Sequence, residues 1–282
     1  MLDLVDTHAH LDDPKIRDRL TEILRSAWVA GVSQVVAVGT TAEESLSVVR
    51  LARAHPGVYA AVGIHPNEAG EARPDDWAII EKLAGEVGVV ALGETGLDRH
   101  WARTPFEVQC EYFNRHLELS ARLGLPVIIH SRDCHPDVVE QLRGLSRSVR
   151  GVLHSFTGNR TEVEQLLDLG LHISFAGMLT FSNKSLDPLR EAAASVPLDR
   201  LLVETDSPYL SPHPFRGRCN EPSRVTWTAQ RLAEIRGLSP LELSEITSLN
   251  ARRLFALEES PRIIGETREV RESGPDERTS TH

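Results

Sequence analysis

Eight short apolar runs, rich in β-branched residues, recur along the chain: LDLVDTHAH (2–10), VSQVVAVGT (32–40), VYAAVGIH (58–65), GVVALGETG (88–96), LPVIIHS (125–131), SVRGVLHSF (148–156), LHISFAGML (171–179) and RLLVETDSP (200–208). Most are apolar on successive positions, as parallel strands covered on both faces should be. The segments between them repeat with a helical period. In 15–30, Ile16, Leu20, Ile23, Leu24, Ala27 and Trp28 share one face, and Gly31 follows as the stop. In 104–124, Thr104 and Glu107 predict a capping box and Pro105 takes the first helical position. Phe106, Cys110, Phe113 and Leu117 form the stripe to be buried, and Gly124 ends the helix. Further helices are predicted over 42–54, 74–84, 135–143, 159–169, 185–195, 222–236 and 240–256, the last with a Ser239–Glu242 capping box. Eight strand–helix units predict an α/β chain folded as a (β/α)8 TIM barrel. A doubly wound sheet is the runner-up. It normally carries GxGxxG or GxxxxGK[ST] after an early strand, and neither is found there.

The polar residues that interrupt this pattern sit where the strands end. The first strand gives His8 and His10, the third His65, the fourth Glu94, the fifth His130, the sixth His154, and the eighth Glu204 and Asp206. In a (β/α)8 barrel these ends meet at one mouth, where active sites are built. Strand side chains alternate faces, so Asp6, His8 and His10 are expected to share the inward face. Asp6, a layer deeper, is expected to orient an imidazole. A lone strand-end histidine is usually structural. Several gathered at one point are too costly to bury unless they are paired or bind a metal. Histidine plus carboxylate without thiolate suits Zn, Mn, Ni or Mg. There are donors for two divalent ions: His8, His10 and Asp206 for one, His130 and His154 for the other, and Glu94 as a bridge. Two ions about 3.5–4 Å apart suit hydrolysis of a phosphate ester.

Composition narrows the picture. The chain is 40% hydrophobic, enough for one sizeable core, and its net charge of −10 argues against a large basic face for duplex DNA. Cys110, Cys134 and Cys219 are odd in number with no CxxC pair, so reduced thiols in a cytoplasmic protein are expected. Neither a signal peptide nor a stretch of about 18 apolar residues is present, so no membrane partner is expected. The expected organisation is one barrel domain over 1–257 and a charged, aromatic-free tail over 258–282, disordered or serving as a short arm for a partner.

DTHAHLD, VGIHP, GETGLD, PVIIHSRD, HSFTG, ETDSPYLSP and NEP, in this order, resemble the TatD family of metal-dependent deoxyribonucleases within the amidohydrolase superfamily. The likeness spans about 3–257. His130 stands where the wider superfamily often has a carboxylated lysine. The resemblance implies a TIM barrel with two divalent ions that hydrolyses phosphodiester bonds in DNA, often as a 3′–5′ exonuclease. It implies that His8, His10, Glu94, His130, His154 and Asp206 are the metal ligands and that His65 contacts the scissile phosphate. Glu204 would support the site. Arg132 would add positive charge for the substrate or form a salt bridge at the mouth. One departure stands out: the family commonly reads RGKRNEP where this chain reads RGRCNEP (216–222). Cys219 cannot supply an arginine's planar fork, and Arg216 or Arg218 would have to compensate.

The mechanism expected is metal-assisted hydrolysis with Asp206 as general base and Glu94 in the catalytic set. The expected partner is DNA, as single strands or frayed ends, held with salt-sensitive affinity. Trp101, Tyr209 and Phe215 lie in mouth loops, to stack bases or to pack within the loops. The alternatives are a metal-dependent amidohydrolase or lactonase acting on a small molecule, a hydrolase of RNA or aminoacyl-tRNA, and a non-catalytic binding protein, since fold alone does not set substrate.

Overall fold

The computed structural model describes residues 2–101, 103–146 and 148–258. The predicted tail over 258–282 lies outside the described residues except for Glu258. Eight parallel strands run in chain order: Leu4–Ala9 (β1), Val32–Val38 (β2), Val58–Val62 (β3), Val89–Asp98 (β4), Val127–Arg132 (β5), Gly151–Leu153 (β6), His172–Phe175 (β7) and Leu201–Val203 (β8). The helices between and after them are Leu20–Ala30 (α1), Ala42–Ala54 (α2), Asp76–Leu83 (α3), Phe106–Leu123 (α4), His135–Arg143 (α5), Arg160–Asp168 (α6), Asp187–Ser195 (α7), Val225–Arg236 (α8) and Pro240–Phe255 (α9). This is the expected (β/α)8 TIM barrel.

Two apolar layers hold it. The outer faces of the strands pack with the helices in one continuous core. Inside the barrel, Val5, Val36, Val38, Ala61, Ile128, Val152 and Leu202 form a second cluster. Ala251, Leu254 and Phe255 of α9, with Leu257, join that interior cluster and so stop the barrel at its N-terminal end. Arg252 clamps the same end with both oxygens of Asp3 at 2.8 Å and with Gln34 Oε1 at 2.9 Å.

Three local expectations need correction. Thr104 does not cap α4, which starts at Phe106 with no side-chain cap. Its hydroxyl instead donates to Asn67 O at 3.0 Å and accepts from Gly70 N at 3.2 Å, tying the loop after β3 to the loop after β4. The stripe on α4 is also shifted: Phe113 and Leu117 are buried with Gln109 and His116, whereas Phe106 and Cys110 are only partly covered. The third correction concerns β1. Val5 is interior, and Thr7 Oγ1 reaches Ser174 Oγ at 3.3 Å and Val203 O at 3.0 Å. Strict alternation from Val5 would turn His8 away from the site. A register shift against β2 between Asp6 and Ala9 breaks that alternation, as bulges do, and lets the end of the strand re-aim its side chains.

Asp6 therefore does not touch an imidazole. Its Oδ1 accepts from Thr205 N at 2.9 Å, and its Oδ2 accepts from Thr205 Oγ1 at 2.6 Å. The carboxyl takes the place of a backbone carbonyl where β1 meets the residues after β8. Just above it, Asp206 N donates to His8 O at 2.9 Å and His10 N to Ser207 O at 2.7 Å. These bonds close the barrel at the mouth.

Burial pushes the Asp6 carboxyl up to about 8, against the opposing hydrogen bonds from Thr205. The native acid thus keeps a proton that the unfolded chain releases near 3.8. Its contribution to stability is complete below about pH 4 and fades as pH rises through 8. Asp6→Ala, which strands two buried donors, is expected to cost roughly 2–4 kcal/mol in urea unfolding. Asp6→Asn is expected to stay within about 1 kcal/mol of wild type at pH 6. It should gain on wild type as the pH is taken to 9, and a constant difference across that range would refute the assignment.

Candidate metal centre

β4 supplies the centre. Its GETG segment needs glycine at both ends: Gly93 has φ +134 and Gly96 φ +140. A Cβ on Gly93 would stand 2.6 Å from Ile128 O, and one on Gly96 only 2.1 Å from His130 O. β4 thereby lies against β5 and carries Glu94 into the mouth.

The two oxygens of Glu94 face different partners. Oε2 lies 3.3 Å from His8 Nε2 and 3.7 Å from His10 Nε2. Those two nitrogens are 3.2 Å apart, and Asp206 Oδ1 completes the group at 3.4 Å from His10 and 3.8 Å from His8. Oε1 lies 2.8 Å from both His130 Nδ1 and His154 Nε2, which are 3.4 Å from one another. Donors around a four-coordinate ion with bonds of 2.0–2.1 Å stand roughly 3.3 Å apart. The first group, at 3.2–3.8 Å, is close to that spacing, and the second, at 2.8–3.4 Å, is tighter. The six residues expected as ligands lie together and Glu94 stands between the two groups, while His8, His154 and Asp206 are also close enough to share an ion.

The remote ring nitrogens show which lone pairs face inward. His130 Nε2 lies 3.0 Å from Asp98 Oδ2, and His154 Nδ1 lies 3.2 Å from Glu204 Oε1. Each carboxylate holds a proton on the far nitrogen and leaves the near one free to donate to a cation. His65 is the opposite case. Its Nδ1 accepts from Asn67 N at 3.1 Å, so the proton sits on Nε2, 3.5 Å from Glu94 Oε1. His65, Glu94 and His130 are close enough to hold an ion together, but this tautomer makes His65 a hydrogen-bond donor. His8 Nδ1 and Glu204 Oε2 are buried without partners among the described residues.

Electrostatics follow from the same contacts. Burial pushes the Glu94 carboxyl up, but His154, His65 and His8 and the bond with His130 outweigh it and hold it well below the usual range. Asp206 is lowered against burial by His10 and the neighbouring imidazoles. Burial also opposes charge on His154, yet Glu94 and Glu204 raise it well above the ordinary value. His10 is likewise raised, against burial, to about 9 by Asp206 and Glu94, and His130 is raised by Asp98 and Glu94. His8 and His65 are lowered, chiefly by burial.

Three supporting residues escaped the sequence. Asp98 was visible only as the last letter of GETGLD. It accepts from Asn67 Nδ2, His100 N and Trp101 N as well as facing His130. Asn67 fixes both Asp98 and His65. His116, buried in α4 and lowered to about 4 mainly by burial, accepts from Ile64 N at 3.1 Å and so sets the chain just before His65. No spacing signal could have found the last two, because Asn67 meets Asp98 from another loop and His116 meets a backbone N–H of a distant segment.

At the rim, Arg132 is exposed and makes no ion pair among the described residues. Its guanidinium lies 5.6 Å from the Trp101 ring, so the salt-bridge alternative is not realised. Phe215 packs edge-on against Trp227, whereas Trp101 and Tyr209 are exposed. Cys219 is exposed, and none of the three cysteines is bridged. Among the described residues no helix is long and apolar enough to cross a membrane.

Comparison with known proteins agrees with this architecture. A family model described as "TatD related DNase" matches residues 5–256. The chain is 38% identical over 255 residues to "Uncharacterized metal-dependent hydrolase YabD" of Bacillus subtilis, covering 90% of this chain and 99% of that protein. It is 37% identical over 260 residues to "3'-5' ssDNA/RNA exonuclease TatD" of Erwinia tasmaniensis, covering 90% and 100%. The crystal structure of YJJV, a TatD homologue from Escherichia coli K12, superposes with a TM-score of 0.85 at 30% identity, covering 90% of this chain and 98% of that one. The chain belongs to the TatD-related DNase family.

Proposed function

We propose that this protein is a divalent-metal-dependent phosphodiesterase that shortens single-stranded nucleic acid, DNA first, from its 3′ end. The observation that carries the proposal is the two-sided carboxylate of Glu94, with one imidazole set on each oxygen. The relative from Erwinia tasmaniensis, named for 3′–5′ exonuclease action on ssDNA and RNA, supports the choice of substrate.

His8, His10 and Asp206 would hold one ion and His130 and His154 a second, with Glu94 shared. Bound divalent ions supply Lewis acidity to phosphoryl oxygens and make a water more acidic. The remaining work falls to the chain. Asp206 is ionised, and among the described residues nothing hydrogen-bonds its Oδ2, which takes the proton of the attacking water. His65 donates from Nε2 to a non-bridging phosphoryl oxygen, where negative charge grows during attack. Asp98 and Glu204 keep the His130 and His154 rings turned toward the centre. Arg132, unpaired at the rim, offers positive charge to the incoming strand.

The deciding experiment offers end-labelled single- and double-stranded DNA, RNA, an aminoacyl-tRNA, a lactone and a cyclic amide to metal-reconstituted protein, with EDTA controls. Stepwise shortening of single strands from the 3′ end is expected. Turnover of the lactone or amide alone would overturn the proposal. Asp206→Asn is expected to fold normally and to lose about 10²–10⁴-fold in kcat. His65→Ala is expected to lose about 10²-fold in kcat while keeping its full metal content by elemental analysis; loss of an ion would make His65 a ligand instead. Because His10, His130 and His154 are raised in the metal-free protein, cation uptake at pH 7 must displace ring protons. Calorimetry in two buffers of different ionisation enthalpy should show release of more than one proton per chain, and affinity should weaken as pH falls. Uptake without proton release would contradict the ligand set.

A further inference from the structure

The metal centre opens on two kinds of rim. On the side after β4, two arginines are already engaged: Arg99 with Asp137 at 2.6 Å and Arg103 with Glu68 at 3.9 Å. On the side after β8 the cations are not. A cleft of about 440 Å³ runs there, lined by Lys15, Phe181, Tyr209, Arg216, Arg218 and Cys219 among others, and no acidic side chain lines it. Among the described residues Lys15, Arg216 and Arg218 have no ion pair. In a chain of net charge −10, three cations without ion pairs around one cleft make a local basic patch that attracts anions.

The cleft also offers flat apolar faces. Lys15 Nζ lies 4.5 Å from the Tyr209 ring centroid, and the Arg216 guanidinium 4.1 Å from that of Phe181. Tyr209 is 44% exposed, a large area for an aromatic ring. It is nevertheless held firmly. Its hydroxyl donates to Asp13 Oδ2 at 2.7 Å, its N–H to Asp206 O at 2.8 Å, and its carbonyl accepts from Asn220 Nδ2 at 2.7 Å. Its ring meets that of His10 edge-on, with centroids 5.9 Å apart. The cleft therefore begins at the metal centre, on a residue fixed to the backbone of Asp206.

We infer that this cleft is the path of the substrate strand upstream of the scissile phosphate. The ring of Tyr209 stacks a base, and Lys15, Arg216 and Arg218 take successive phosphates. Cations paired with an exposed ring suit single strands without sequence preference. An open cleft of about 440 Å³ suits a short run of unpaired nucleotides rather than a duplex. Against the family pattern RGKRNEP this chain keeps the basic residues at 216 and 218 and lacks the one at 219, so Arg216 and Arg218 carry the positive charge of this segment.

The inference rests on the nuclease proposal, and the test separates the two. Anisotropy of 5′-fluorescein dT3, dT12 and rU12 is measured in EDTA, where strand cleavage stops and only the chain's own groups bind. Wild type should bind dT12 at least about tenfold more tightly than dT3. The double variant Arg216→Ala, Arg218→Ala should weaken dT12 about tenfold and reduce the slope of log affinity against log salt by about 1.4, the value for two single-strand phosphates. Tyr209→Ala should weaken binding about tenfold with the slope unchanged, and Tyr209→Phe should bind as wild type does. Cys219→Arg should tighten binding several-fold, a gain that misfolding cannot mimic. The rU12 arm assigns the path to DNA alone or to both nucleic acids. Unchanged binding in the Arg216/Arg218 and Tyr209→Ala variants overturns the cleft. So does a wild type that degrades dT12 with metal but does not bind it in EDTA. A wild type that neither binds nor degrades any strand overturns the nuclease proposal itself.

Discussion

A carboxylate that stays ionised while only 3% exposed must be compensated, and Glu94 sets that demand for the whole barrel mouth. Among the described residues no lysine or arginine pairs with it. The compensation comes from five imidazoles: His8 on β1 and His10 just after it, His65 after β3, His130 on β5 and His154 after β6. Imidazoles are suited to this because each can carry a proton or give a lone pair to a cation, whichever the centre requires. A fixed cation such as arginine would neutralise Glu94 permanently and leave no room for an ion. The alternation of ring nitrogens, some held by carboxylates and one by a backbone N–H, follows from this single requirement.

Much of this was legible in the chain before folding. The apolar runs gave eight strands because both faces of each strand are covered, so the signal did not depend on side-chain alternation. The strand-end positions then gave His130, His154, Glu94 and Asp206, since the barrel topology alone brings such ends together. His8 and His10 were reached by a rule that the strand does not obey. The register shifts between Asp6 and Ala9, so both histidines face the mouth while Asp6 turns to Thr205. That acid looked like support for a ring because it precedes the histidines. Its partner, Thr205, is 199 residues away, and nothing local signals it.

The residues that refine the site were hidden for a different reason. Asp98 acts through His130, Asn67 through His65 and Asp98, and His116 through a backbone N–H. Such supports are chosen by the geometry of a loop rather than by a repeating pattern. Thr104 shows the same effect from the other side. It has every local mark of a helix cap, yet its hydroxyl is taken by Asn67 and Gly70 across the loops. Where a polar side chain can serve either its own helix or a distant loop, the functional end of the barrel wins.

The closure between Asp6 and Thr205 also sets when the molecule can exist. Its bonds join the first ten residues to residues beyond 200, and at the opposite end the clamp of Arg252 on Asp3 joins residues 249 positions apart. Contacts of such separation form late, because the loop entropy must be spent before they contribute. During synthesis the leading strand must therefore wait, unpaired on one edge, until the eighth has emerged. Until then neither His8 nor Asp206 has a counterpart, and a partly made chain holds no assembled centre. The N-terminal histidines are the first part of the site to be synthesised and among the last to be put to use.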